Sequence, residues 1–80
     1  MKAHVHVTLK PGVLDPQGKA VANALHGLGF DNVHGVRQGK VIELDLDETC
    51  PDRARQTVEE MCERLLANTV IENYAVELSD

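Results

Sequence analysis

Aromatic residues are almost missing from this sequence: of 80 residues only Phe30 and Tyr74 are aromatic, and there is no tryptophan. Two rings cannot form the stacking platform on which single-stranded nucleic acids are read. Basic charge is also scarce. Eight Lys+Arg face 13 Asp+Glu, a formal charge of −5, the wrong sign for a protein that binds by neutralising phosphates. Cysteine is limited to Cys50 and Cys62, too few for a disulfide scaffold and too far apart for a C-x-x-C redox or zinc motif, so both are expected as reduced thiols. Cys62 reads as a small apolar core residue. No apolar run approaches the ~20 residues of a membrane span, and the opening Met1-Lys2-Ala3-His4 lacks the apolar core of a signal peptide. A cytoplasmic location is expected.

What is present describes one small globular domain over residues 1–80, with 42% hydrophobic and 26% charged residues. A chain this short buries only roughly 60–65% of the surface its unfolded form exposes, which leaves little room for a self-contained active site. Ala3, Val5, Val7 and Leu9 alternate with His4, His6 and Thr8, the period-2 signature of a half-buried strand. Pro11-Gly12 ends it. Asp15-Pro16 is a helix start, because Asp accepts from free backbone N–H groups and Pro suits the first helical position. Val21, Ala24, Leu25 and Leu28 give the helix an apolar stripe, and Gly27 and Gly29 offer a left-handed exit.

A second strand is expected over Asn32 to Gln38, where Val33 and Val36 are out of phase unless Gly35 forms a bulge. Gln38-Gly39-Lys40 then reads as a hairpin turn into a third strand, Val41 to Asp47, with Ile42, Leu44 and Leu46 inward. Thr49 and Asp52 suggest a capping pair for a second helix whose buried stripe is Ala54, Val58, Met61, Cys62 and Leu65. Asn68 is a plausible left-handed stop. Val70 to Leu78 forms the last strand, apolar in both phases, an edge that needs covering. The order is βαββαβ, an α+β ferredoxin-like architecture with two helices on one face of an antiparallel sheet.

Chemistry-bearing constellations are few. His4 and His6 share a strand face and would need Glu43, Asp45 or Asp47 to complete a metal site. His26 and His34 have no partner identifiable from the sequence, and no histidine spacing makes a nucleophile of Cys50. Glu59, Glu60 and Glu63 read as the solvated face of the second helix. The glycines form neither a G-x-G-x-x-G nor a Walker loop. An interaction module, itself oligomeric or docked on a partner, is the interpretation that remains.

Five segments together resemble one family: Lys10-Pro11-Gly12-Val13, Asp15-Pro16-Gln17-Gly18, Leu28-Gly29-Phe30, Val36-Arg37-Gln38-Gly39-Lys40 and Leu65-Leu66-Ala67-Asn68-Thr69-Val70-Ile71-Glu72. In order and spacing they are similar to PurS, the small subunit of phosphoribosylformylglycinamidine synthase. Thr69 departs from the proline common after the family's asparagine. The resemblance implies a noncatalytic bridge in an assembly that uses glutamine and ATP to convert formylglycinamide ribonucleotide to formylglycinamidine ribonucleotide in purine biosynthesis. A glutaminase subunit would release ammonia, and a large synthetase subunit would bind ATP, magnesium and the ribonucleotide. This chain would bind no cofactor or metal itself, would help ammonia pass between the two sites, and would form a homodimer or dimer of dimers.

Carried over residue by residue, Asp15, Pro16 and Gly18 match the family's first loop and also read as a helix cap. Arg37, Gly39 and Lys40 match the hairpin, with Gly39 as a turn requirement and the two cations as subunit contacts. Glu72 and Tyr74 on the last strand are expected oligomer or partner contacts. A different class stays open beside this one, a small-molecule-binding regulatory domain with the same βαββαβ order, which would hold its ligand at an interdomain crevice.

Overall fold

The structure, a computed structural model, describes residues 1–79. Its first strand, β1 (Lys2–Leu9), is central and hydrogen-bonds on both sides. It pairs antiparallel with β2 (Gly39–Asp45) and with β3 (Glu72–Ser79), giving the order β2-β1-β3. The strict alternation of β1 explains its place: Ala3, Val5 and Val7 are 0–1% exposed on one face, while Lys2, His6 and Thr8 face solvent on the other. The register puts Ala3, Val5 and Val7 beside Leu44, Ile42 and Lys40 on one flank, and beside Leu78, Val76 and Tyr74 on the other.

One helix covers that face. Helix α2 (Pro51–Met61) lays Ala54 and Val58, both fully buried, against the sheet and packs on β3. It continues through a π-helical turn, Cys62–Leu66, closed by the Ala67 N–H donating to the Cys62 carbonyl at 3.0 Å. A π turn inserts an extra residue and so rotates the apolar phase. This corrects the expected stripe: Cys62 is buried as expected, but Leu65 is 83% exposed, and Leu66 packs on the core in its place.

The ferredoxin-like α+β class stands, with two local differences. Residues Asn32 to Gln38 form no strand, so the sheet has three strands and the expected hairpin is absent. Gly35 makes no bulge, and the chain reaches β2 through residues 33–38 without regular secondary structure. The second difference is α1 (Pro16–Gly27). It starts where Asp15-Pro16 predicts, and it ends with Gly29 at φ +98 while its C-cap Leu28 donates back to Ala24 and Leu25. Yet among the described residues it packs extensively along no strand. Val21 is 41% and Leu28 74% exposed. The molecule measures 48 × 27 × 14 Å with a radius of gyration of 15.9 Å, against about 12 Å for a compact chain of this length.

The last strand is also less hazardous than expected. Val70 and Ile71 lie in the turn before β3 rather than in it, and within β3 the inward residues Tyr74, Val76 and Leu78 alternate with exposed Asn73, Ala75, Glu77 and Ser79. Arg55 of α2 donates to the Val76 carbonyl at 3.1 Å, occupying an acceptor of the β3 backbone.

The π turn generates a paired test. Leu66→Ala should destabilise the chain by about 2 kcal/mol in urea unfolding, whereas Leu65→Ala should change it by no more than about 0.5 kcal/mol. A regular α-helix would give the larger loss at Leu65.

Candidate functional site

At one end of the sheet, on the face that α2 covers elsewhere, lies an open cleft of about 310 Å³. Val7 and Leu9 form its floor, Lys40 and Glu72 flank it from β2 and β3, and Asp15 and Gln38 close its upper side. Lys40 is opposite Val7 and Glu72 opposite Leu9, so both charges stand on the inward face of the sheet just where its helical cover ends.

Asp15 organises this corner. One carboxylate oxygen accepts from the Gly18 N–H at 2.9 Å, capping α1, and the other accepts from the Gln38 N–H at 2.8 Å, across 23 residues of sequence. Gly18 is buried, and a Cβ there would collide with the Val36 carbonyl oxygen. The two motifs D-P-x-G and V-R-x-G-K are therefore halves of one clamp. Gly39 belongs to the same fit. It is not a turn residue, as the expected hairpin required; it opens β2, where a Cβ would sit 2.5 Å from the Val7 carbonyl oxygen. The hydrogen bonds from Gln38 and then Gly18, helped by the Arg37 charge, hold the Asp15 carboxyl below the usual aspartate range. Arg37 and Lys40 are exposed, and among the described residues neither forms an ion pair.

A second lock forms the floor's far edge. Asn68 accepts at its side chain from the Val70 N–H at 3.2 Å, and its N–H donates to the Glu72 carboxylate at 2.7 Å. Its carbonyl accepts from Ile71 and Glu72. Among the described residues no non-glycine has positive φ, so Asn68 ends the helical segment by side-chain hydrogen bonding, not by a left-handed stop. Tyr74 is half-buried against the core, with burial and then the nearby Glu63 charge pushing its phenol upward. At the start of α2 the cap also differs from expectation. Cys50 is the N-cap without a side-chain bond, and the Glu48 carboxylate accepts from the Thr49 and Cys50 N–H groups at 3.0 and 3.1 Å.

The helix-free face carries the histidine pair. His6 lies 3.2 Å from the Glu77 carboxylate and His4 3.6 Å from that of Glu43, which Lys2 also meets at 3.2 Å. Each imidazole thus has a carboxylate beside it, and among the described residues no three metal-ligating side chains converge. Asp45 and Asp47 join neither contact. His26 on α1, for which the sequence identifies no partner, has a structural one: its Nε2 meets the Val33 carbonyl at 2.7 Å and fastens the crossing segment to the helix.

The clamp titrates in a defined direction. Because the Asp15 carboxyl is held below its usual value, its stabilisation is complete above the ordinary aspartate range and disappears as pH falls through the lower, folded value. The protection of the Gly18 and Gln38 amides against exchange, relative to their intrinsic rate at each pH, should fall on acidification. Asp15→Asn, which turns an amide NH2 toward one of two N–H donors, should lower protection at one or both amides at neutral pH and abolish its fall with acid.

Comparison with known proteins agrees on one family. Residues 2–80 match PurS: phosphoribosylformylglycinamidine (FGAM) synthase. Phosphoribosylformylglycinamidine synthase subunit PurS of Synechocystis sp. is 52% identical over 75 residues, covering 94% of this chain and 75% of that one. The crystal structure of Methanocaldococcus jannaschii PurS, one of the subunits of formylglycinamide ribonucleotide amidotransferase in the purine biosynthetic pathway, superposes with TM-score 0.89 at 42% identity, covering 99% and 95% of the two chains. A chain in the structure of PurLQS from Thermotoga maritima gives TM-score 0.86 at 32% identity, with 95% and 93% covered. These likenesses leave the regulatory small-molecule domain unfavoured, and the chain belongs to the PurS family of phosphoribosylformylglycinamidine synthase subunits.

Proposed function

We propose that this chain is the small bridging subunit of a phosphoribosylformylglycinamidine synthase, a glutamine-hydrolysing, ATP-dependent C–N ligase of purine biosynthesis. One observation carries the proposal: the full-length likeness to PurS chains, one of which comes from a PurLQS assembly. In this proposal the chain contributes no catalytic residue. It joins a glutaminase to a large synthetase that holds ATP and magnesium, and it keeps released ammonia on its way between them. It works in the cytoplasm, as a homodimer or dimer of dimers.

The proposed contact residues divide by what already holds them. Asp15, Gly18 and Glu72 shape the cleft from within, and Tyr74 supports its floor from the core side. Arg37 and Lys40 stand at the rim with their charges unspent, in a chain of net charge −5, and are the groups best placed to meet an acidic partner surface.

Reconstitution tests the role. Mixed with glutaminase and synthetase subunits, the chain should raise glutamine-dependent product formation while leaving ammonia-dependent synthesis by the large subunit much less affected; equal glutamine-dependent rates with and without it would reject the bridge. Arg37→Ala with Lys40→Ala should weaken association with those subunits by about 3- to 30-fold in Kd, with unchanged urea unfolding.

A further inference from the structure

Charge is not spread evenly along this chain. Residues 1–40 hold five Lys+Arg and two Asp+Glu, while residues 41–80 hold three and eleven. The fold turns that asymmetry into a spatial one, because the β1 register puts Thr8 and Leu9 beside Gly39 and Glu72 at one end of the sheet, and Lys2 beside Asp45 and Ser79 at the other. Lys10, Arg37 and Lys40 belong to the first end, around the cleft, and Lys19 follows within one turn of Asp15, to whose carbonyl its N–H donates at 3.0 Å. Asp45, Asp47, Glu48 and Asp52 belong to the second, where β2 leads into α2.

The cations elsewhere are engaged within the chain, and those at the cleft are not. Lys2 meets Glu43, Arg64 meets Glu60 and Arg55 donates to the Val76 carbonyl, whereas among the described residues none of Lys10, Lys19, Arg37 and Lys40 forms an ion pair. The two carboxylates of the cleft, Asp15 and Glu72, accept from backbone N–H groups instead. Lys40 shares the space above Val7 and Leu9 with Gln17 and Gln38, whose carboxamides add N–H donors. An ammonium and two amides over an apolar floor match the single charge of one carboxylate. A phosphate dianion would meet Asp15 and Glu72 with more negative charge than Lys40 offsets.

We infer that the cleft end of the sheet docks an acidic surface of another polypeptide, one of whose Asp or Glu side chains enters the cleft and meets the Lys40 ammonium above Val7 and Leu9. Docking here rests on the bridging role proposed above and assigns the end of the bridge that takes the acidic partner. An open cleft is wet, and a lone ion pair in it contributes little, so a free small carboxylate is a poor occupant. Lys10, Lys19 and Arg37 stand around Lys40 on three separate segments, a span that a protein surface covers at once. A second copy is a poor occupant too, because a two-fold contact at this end sets cations against cations.

Zero-length cross-linking decides it, since a carbodiimide joins an ammonium to a carboxylate only where the two already touch. The chain is mixed with the glutaminase and synthetase subunits, treated with the reagent, digested and mapped by mass spectrometry. An amide bond from Lys40 Nζ to an Asp or Glu of one of those subunits is the expected product. Lys40→Arg, whose guanidinium is not coupled, should lose the link and keep the association, while Lys40→Gln should weaken association by about 3- to 10-fold in Kd. Asp45→Asn with Asp47→Asn, at the far end, should leave binding of that same subunit unchanged. Assembly with Lys40 unlinked, or linked only within the chain or to a second copy, would overturn the docking, as would Lys40→Gln that binds like wild type, or free glutamate that saturates the chain alone in a Lys40-dependent way. The bridging role is judged apart from this, by glutamine-dependent synthesis: a chain that restores synthesis with Lys40 unlinked keeps the bridge and loses the docking, and one linked through Lys40 that restores nothing does the reverse. No association with either subunit removes both.

Discussion

Everything in this small protein hangs on the burial of β1 beneath a single helix. Val5 and Val7 on the strand and Val58 and Cys62 on the helical segment are the largest fully buried side chains. Each valine contributes about 1.5–3 kcal/mol by leaving water, and together they form a thin core for a chain that must also offset its conformational entropy. Among the described residues no polar or charged one is buried to complicate it. Ile42, Leu44, Leu66, Val76 and Leu78 pack on it only in part, and Leu28, Phe30, Leu65 and Val70 remain largely exposed.

Legibility from sequence followed the range of the interactions. Strand β1 was readable because its alternation is local and its burial on one face is complete, and α1 began where Asp15-Pro16 signals a start. The failures were tertiary. Nothing in residues 32–38 announces that their backbone will be tied to Asp15 and His26 and not to a neighbouring strand. The π turn was invisible because Leu65 and Leu66 are equally apolar, and only the Ala67 to Cys62 hydrogen bond decides which one faces inward. The α1 stripe is apolar, but periodicity alone does not supply a surface to cover it, and Val21 and Leu28 remain exposed.

The motifs that carried the family resemblance turn out to encode backbone fit more than exposed chemistry. Gly18 and Gly39 are glycines because carbonyl oxygens of Val36 and Val7 occupy the space of a Cβ, and Asp15 is aspartate because it must serve two N–H donors separated by 23 residues. Asn68 and Glu72 answer each other in the same way. Such residues identify a lineage efficiently, since their geometry admits few substitutes, while they say little about what the lineage binds.

That distinction ranks the remaining contacts. A carboxylate whose oxygens already accept from Gly18 and Gln38 has limited capacity for a partner, and releasing it would leave two amides unpaired at the base of α1. Glu72 is similarly engaged. Arg37 and Lys40 have no such internal obligation, and their charge is not neutralised by an ion pair among the described residues. Their position next to the clamp matters more than their number: both lie within two residues of Gln38, whose N–H the Asp15 carboxylate holds. A partner that engages them therefore takes hold of the same short segment that the Asp15 carboxylate ties to the start of α1.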